Sequence, residues 1–238
     1  MVCGRAVGVD CDARLPTVTI DVRRASNRTR IEQPGVVTWH SFSAGPHYDP
    51  NNISFAALIA HDEHLLAAGA GFPKHAHRGV DIVSWVLDGE LRHDGQRIGV
   101  GSVLHQRTGD GIEHVEANAR SDRSLRFVQM ALLSSDPTMP PAEQRIDLPA
   151  RRRHGVELIL QLPGAALYLA RLSPRLPAQV PSTDRTHLFV TRGTASLGSG
   201  EIPGPRLAAG DAARITGETE LWLATGTTSE ALIWTLAD

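Results

Sequence analysis

Two short stretches of the chain each place two potential metal-binding side chains one residue apart: His75 and His77 in GFPKHAHRGVD (71–81), and His114 and Glu116 in GDGIEHVEAN (109–118). In an extended strand, side chains at i and i+2 leave the same face, so each pair can point one way. Two such pairs on facing strands would bring three imidazoles and a carboxylate to one point. Neutral imidazole nitrogens with one carboxylate oxygen suit Fe(II), Mn(II), Ni(II), Cu(II) or Zn(II), and geometry and availability choose among these ions more than ligand type does. Four protein ligands on a six-coordinate ion leave two positions for water, dioxygen or a chelating substrate. That is the arrangement of an iron or manganese oxygenase rather than of a closed structural zinc site.

An isolated His-x-His in a strand is ordinarily a surface or hydrogen-bonded pair. A second pair further along the chain, again beside glycine turns, favours ligation. The other eight histidines, His40, His47, His61, His64, His93, His105, His154 and His187, have no such pairing and read as structural or exposed. Carrying the parity of His75 and His77 forward puts Asp81, Val83, Trp85 and Leu87 on their face.

The elements that must hold these pairs are strands. TVTIDVRR (17–24), GVVTWHSF (35–42), DIVSWVLDGELRH (81–93), SLRFVQMALL (124–133), VELILQL (156–162), ALYLARL (166–172), THLFVTRGTASL (186–197) and ALIWTL (231–236) alternate or are rich in β-formers, with Gly, Pro and Asp between them. Many short strands with regular turn signals predict an all-β sandwich or barrel. VSWVLDGELR (83–92) and LFVTRGTASL (188–197) share a strand, a glycine-containing turn and a second strand, which points to two copies of one β-fold. The Pro-rich and charged SSDPTMPPAEQRIDLPARRRHG (134–155) predicts the connection between them.

Composition narrows the partners. The 238 residues, 41% hydrophobic and 21% charged, suit a globular chain with one large or two smaller cores. A formal charge of −2 gives no basic excess for nucleic acid, despite short arginine clusters at Arg23–Arg24 and Arg151–Arg153. No stretch approaches the roughly 20 apolar residues of a membrane span, and charges fall where a signal peptide carries its apolar core. The expected setting is the cytoplasm, with Cys3 and Cys11 reduced.

GFPKHAHRGVDIVSWVLDGELRHDG and TGDGIEHVEAN resemble the two signature segments of the pirin family of the cupin superfamily, and SFSAGPHYDPNNISFAALIAHDEH (41–64) resembles that family's opening strand and YDP turn. HLFVTRGTASLGS with LAAGDAARI is similar to the second cupin of bacterial pirin-like proteins. The resemblance implies an all-β bicupin: two β-barrel (jelly-roll) domains packed together, the N-terminal one holding a metal, usually iron. Carried over by position, His75, His77, His114 and Glu116 match the family's ligands. The expected layout is an N-terminal extension over 1–15, a metal-binding cupin over 16–135, a linker over 136–155 and a degenerate C-terminal cupin without metal over 156–238.

The resemblance further implies dioxygenase activity of the quercetin 2,3-dioxygenase type, with a phenolic or enol substrate chelating the metal and Glu116 acting as the base. Phe72, Trp85 and Ile112 are expected to shape the pocket. The competing expectation is a non-enzymatic, metal-dependent redox sensor acting through a protein partner, for which Lys74 and Arg78 are the candidate surface charges. The chain departs from the family's pattern at Lys74 and Ala76, and at Asp81, where a glutamate is usual. Asp81 is expected either to accept a hydrogen bond from a ligand histidine or to reach the metal itself.

Overall fold

The computed structural model describes residues 18–148, 154–199, 202–217 and 220–237. Cys3 and Cys11, the extension expected over 1–15 and the arginines at 151–153 lie outside them. The first part of the chain forms β1 Thr19–Arg23, β2 Thr29–Gln33, β3 Val36–His40, β4 Leu58–Leu66, β5 Gly71–His77, β6 Val80–Asp88, β7 Glu90–His93, β8 Gln96–Gly99, β9 Ser102–Arg107, β10 Ile112–Asn118, β11 Leu125–Leu133 and β12 Ala142–Asp147. The second part forms β13 Gly155–Leu162, β14 Ala165–Leu172, β15 Ala178–Val180, β16 Arg185–Arg192, β17 Thr194–Ser199, β18 Ile202–Ala208, β19 Ala212–Thr216, β20 Leu221–Ala224 and β21 Ser229–Leu236. Two single-turn 3-10 helices, Ala25–Asn27 and Pro50–Asn52, are the only helical elements among the described residues. Among the described residues no helix is long and apolar enough to cross a membrane.

Each half is a jelly roll of one large and one small sheet with open edges, rather than a closed ring of strands. In the first unit the large sheet runs β12-β9-β6-β11-β4-β3-β2 and the small one β5-β10-β7-β8. In the second, the large sheet runs β1-β19-β16-β21-β14-β13 and the small one β15-β20-β17-β18. Sheet membership departs from the expected boundaries at two places. β1 crosses over to pair with β19 of the second unit, and β12, inside the segment read as a linker, pairs with β9 of the first.

Three cores result. Val86, Leu91, Ile98, Leu104 and Phe127 fill the first unit, and Leu188, Val190, Leu207, Leu223 and Ile233 fill the second. The third lies between the two large sheets, where Trp85, Met130 and Leu132 of one meet Leu167, Leu232 and Trp234 of the other. β6 therefore faces a core on both sides, which is why it reads as a nearly continuous buried run. Trp85 Nε1 donates to Glu230 Oε1 at 3.3 Å and Trp234 Nε1 to Met130 Sδ at 3.1 Å, so each indole crosses the seam and finds a partner there.

This arrangement corrects the parity carried from His77 into β6. Gly79, at φ 70, turns the chain out of the small sheet and into the large one, so the alternation restarts. Val83, Trp85 and Leu87 face the second unit, while Ser84 and Val86 face inward.

Candidate metal centre

β5 and β10 run antiparallel, with His75 opposite His114 and His77 opposite Ile112. The register slips between His114 and Glu116, where a bulge on β5 takes in Pro73 and Lys74. A proline cannot donate to the ladder, and a bulge is one of the few places inside a sheet that tolerates it. The slip brings Glu116 opposite Phe72. Beyond it the strands close so tightly that a β-carbon on Gly71 would lie 2.4 Å from the Glu116 carbonyl oxygen. Glycine is the residue that allows this approach.

The four residues expected to share a site fall in two groups of the first unit that meet at His114. Donor atoms of His75, His77 and His114 lie within 4.8 Å of one another, and so do those of His93, His114 and Glu116. His75 Nδ1 is 2.8 Å from the Pro73 carbonyl oxygen, which can only accept, so this nitrogen carries a proton and, in the neutral ring that ligation requires, Nε2 holds the lone pair. His114 Nδ1 stands 3.0 Å from Gln106 Oε1 and 2.9 Å from His93 Nε2. With Gln106 Oε1 accepting, the His114 proton is also on Nδ1. His75 Nε2 and His114 Nε2 then face each other 2.9 Å apart with no proton between them.

Two lone pairs at that distance repel unless a cation lies between or beside them. Two nitrogens bound at right angles to one ion at ~2.1 Å would be about 3 Å apart. His77 Nε2 and Glu116 Oε2 are buried with no hydrogen-bond partner among the described residues, and Glu116 Oε2 is 4.0 Å from His114 Nε2. The donor set fits a transition-metal cation.

Protonation points the same way. Burial, then the neighbouring His75, His93 and His77, brings His114 down to about 3, and burial and His75 lower His77. Both imidazoles are held neutral, as ligation requires. Burial raises Glu116, while the hydrogen bond from Gln129 Nε2 to Glu116 Oε1, at 2.8 Å, opposes it. Gln129 also donates to Ser84 Oγ at 3.2 Å, which fixes its amide and through it the carboxylate.

Sequence reasoning missed this supporting set. His93 is fully buried and packs edge-on to His114 with ring centroids 4.9 Å apart. Its other nitrogen lies 3.5 Å from Glu143 Oε2 on β12, and the same carboxylate accepts from Gln106 Nε2 at 3.2 Å and, through Oε1, from Gln96 Nε2 at 2.9 Å. One signal for His93 was in the sequence: ELRH alternates, with Leu91 and His93 inward, and ends at Asp94-Gly95, whose φ values of 43 and 87 form the tight hairpin turn into β8.

Asp81 belongs to neither of its expected roles. It accepts from His105 Nε2 at 2.7 Å, on the face of the large sheet that carries Val83 and Val103 and away from the ligands. Phe72 does line the interior, edge-on to His64 at 5.1 Å between centroids and 6.4 Å from His75. Trp85 does not, because it faces the second unit.

Two jelly-roll units joined through their large sheets, with a histidine and carboxylate cluster in the first, define a bicupin. The family model for pirin matches residues 21–132. A Mycobacterium tuberculosis protein, named provisionally as a quercetin 2,3-dioxygenase, is 35% identical over 237 residues, covering 92% of this chain and 95% of its own. The quercetin 2,3-dioxygenase of Escherichia coli K12 is 30% identical over 132 residues, which cover 53% of this chain and 57% of that one. Among solved structures, the E. coli bacterial pirin YhhW in complex with nickel(II) superposes with a TM-score of 0.84 at 23% identity, over 92% of this chain and 99% of that chain. The chain belongs to the pirin family.

Proposed function

We propose that this pirin is a metal-dependent oxygenase of the quercetin 2,3-dioxygenase type, acting with dioxygen on a flavonol or another phenol or enol able to chelate. The observation that carries the metal is the pair of imidazole Nε2 atoms 2.9 Å apart, with His77 Nε2 and Glu116 Oε2, unpartnered among the described residues, beside them. His75, His77, His114 and Glu116 would hold it. Iron(II) is the ion the resemblance implies, and nickel(II) is the one that the YhhW complex contains; manganese, copper and zinc suit the same donors. The names of the mycobacterial and E. coli relatives support the activity.

The bound metal supplies Lewis acidity toward a chelating hydroxyl and a meeting place for dioxygen. The chain's own residues do the rest. Glu116 Oε2, which has no hydrogen-bond partner among the described residues, would loosen from the ion to receive the substrate's hydroxyl proton while Gln129 holds Oε1 in place. Phe72 and His64 give the substrate a mainly apolar wall. The alternative of a metal-reporting docking surface finds less support, because Lys74, one of its two candidate charges, is paired with Glu113 across the β5–β10 ladder.

Elemental analysis of anaerobically purified protein, beside His75→Ala and His114→Ala, tests the reading when oxygen uptake with quercetin is followed on the same samples. The expected result is about one equivalent of transition metal in the wild type, lost in both variants together with oxygen uptake. No metal in the wild type after reconstitution would sink the metal centre. Metal without oxygen uptake on quercetin or other chelating phenols would sink the oxygenase.

A further inference from the structure

Buried polar atoms without a hydrogen-bond partner gather in two places. Four of the thirteen among the described residues, on His64, His77, His93 and Glu116, are in or against the candidate metal centre. Eight more lie along the seam between the two units: Arg28 Nε, Ser41 Oγ, Asn52 Oδ1, Arg214 Nε and both ring nitrogens of His61 and of His187. Such atoms are rare in folded proteins and ordinarily mark a missing water, ion or ligand. The first place is the proposed metal centre. The second is unassigned.

The seam residues form one continuous cluster. Arg214, on β19, stacks its guanidinium 4.2 Å from the centre of the Phe42 ring and donates to the Ser41 carbonyl at 3.4 Å. Phe42 packs against His187, and His187 against His61 with ring centroids 5.0 Å apart. His61 lies 4.3 Å from Phe189, over which the Arg28 guanidinium sits at 5.3 Å. Arg214, His61 and His187 are each at most 6% exposed, and so is the side chain of Arg28.

The charge balance decides what belongs there. Glu63 is taken by Arg28 at 3.0 Å and Arg126 at 2.6 Å, and Asp211 by Arg24 at 2.8 Å. Asp21 stands opposite Arg214 in the β1–β19 ladder, but its carboxylate is mostly exposed and is paired with Arg23. Arg214 has no ion pair among the described residues, and burial lowers it to about 10. A buried cation without a counter-charge is costly. The free donors of the cluster, two guanidinium N–H groups, one hydroxyl and one N–H from each neutral imidazole, meet no unpaired carboxylate inside the seam; the one carboxylate that lines the cleft, Asp49, is exposed and accepts from Asn51 N–H. They suit an anion, and the two guanidinium charges disfavour a metal ion even though each imidazole and Asn52 Oδ1 also offer a lone pair.

A way in exists. A cleft of about 460 Å³ opens between the units, bounded by Arg28, Ser41, Phe42, Tyr48, Asn52 and Ala212, four of which belong to the cluster. The volume suits a small molecule. Tyr48, 70% exposed at its rim, offers a ring on which the body of such a ligand can rest. We propose that the seam between the two units is a second binding site, for a small organic anion whose carboxylate or phosphate enters from this cleft toward Ser41, Arg28 and Arg214.

The test is the thermal midpoint and calorimetric affinity of the metal-loaded protein with inorganic phosphate and with benzoate at constant ionic strength, benzamide being the neutral control. At least one anion should raise the wild-type midpoint, and benzamide should not. The Ser41 hydroxyl has no partner among the described residues, so Ser41→Ala should melt as the wild type does without anion, yet bind it about 5-fold more weakly, the worth of one hydrogen bond. Arg214→Met, which removes an uncompensated charge while keeping the volume, should melt no lower than the wild type without anion and lose the response. Which anion acts identifies the acid group. The absence of any anion effect in the wild type would overturn the proposal. So would a response that survives in Arg214→Met, because the anion would then be elsewhere, at the metal centre above all.

Discussion

The two small sheets share one strand order and differ in what they carry. In the first unit, β5 and β10 present His75, His77, His114 and Glu116, and β7 adds His93. In the second, the strands in the corresponding places are β15, with Ala178 and Val180, β20, with Leu221 and Leu223, and β17, with Ala195 and Leu197. All six of these residues are buried in one apolar core. The jelly roll therefore closes well around aliphatic side chains alone. The fold did not require five ionisable side chains at these places in the first unit. They cost desolvation and leave donors unpaired, so their presence there is explained by chemistry rather than by packing.

Exchanging the character of the two sheets is the sharpest way to test this contrast, and its largest effect is expected in the second unit. Leu223→Gln puts an amide where no partner waits, and should lower stability by about 4 kcal/mol or more in urea unfolding, from the lost aliphatic packing and the unsatisfied amide together. In the first unit, His114→Ala should cost far less stability in the metal-free protein, since the imidazole it removes is itself desolvated. If the two substitutions cost the same, the contrast fails.

The next effect concerns the residues behind the ligands. Gln106→Leu removes the acceptor that keeps the His114 proton on Nδ1 and releases Glu143 from one of its donors. Metal affinity, followed by chelator competition, should fall about 10–100-fold while about one equivalent still binds at saturation. An unchanged affinity would show that the ring is oriented by packing alone.

The smallest effect belongs to the seam. His187 is brought down to about 3, by burial first and then by Arg214, and burial is also the main reason His61 lies well below its ordinary value. Both are neutral in the fold and take up protons on unfolding once the pH is below about 6.5. The unfolded state binds more protons between about 3 and 6.5, so stability rises with pH through that window and is lost as acid is added. His187→Leu should flatten the slope by at most about 1.4 kcal/mol per pH unit below 6.5, read from urea unfolding at pH 7, 6 and 5.

Much of the site was legible before the fold was known, because its information is local. His75 with His77, and His114 with Glu116, keep their meaning wherever the strands lie, since the alternation of a strand fixes which side chains share a face. The eight segments read as strands, from TVTIDVRR to ALIWTL, were legible for the same reason, while β2, β4 and β20 lie outside all of them. Local pattern failed where the chain changed sheets. At Gly79 the parity of His77 ended, so Trp85 and Asp81 fell on the far face, and PPAEQRID, read as linker, contains an edge strand whose Glu143 supports the site.

By itself, then, the sequence determined the all-β character, the duplication and the two pairs of candidate ligands, each of which rests on residues a few positions apart. Tertiary structure alone decided that β1 would pair with the distant β19, that His93, Gln106, Gln129 and Glu143 would stand behind His114 and Glu116, and that His61 and His187, far apart in sequence, would meet in the seam with Arg214 beside them. Those neighbours are joined by register and sheet packing across long separations. No periodicity within a strand encodes which strand will lie beside it.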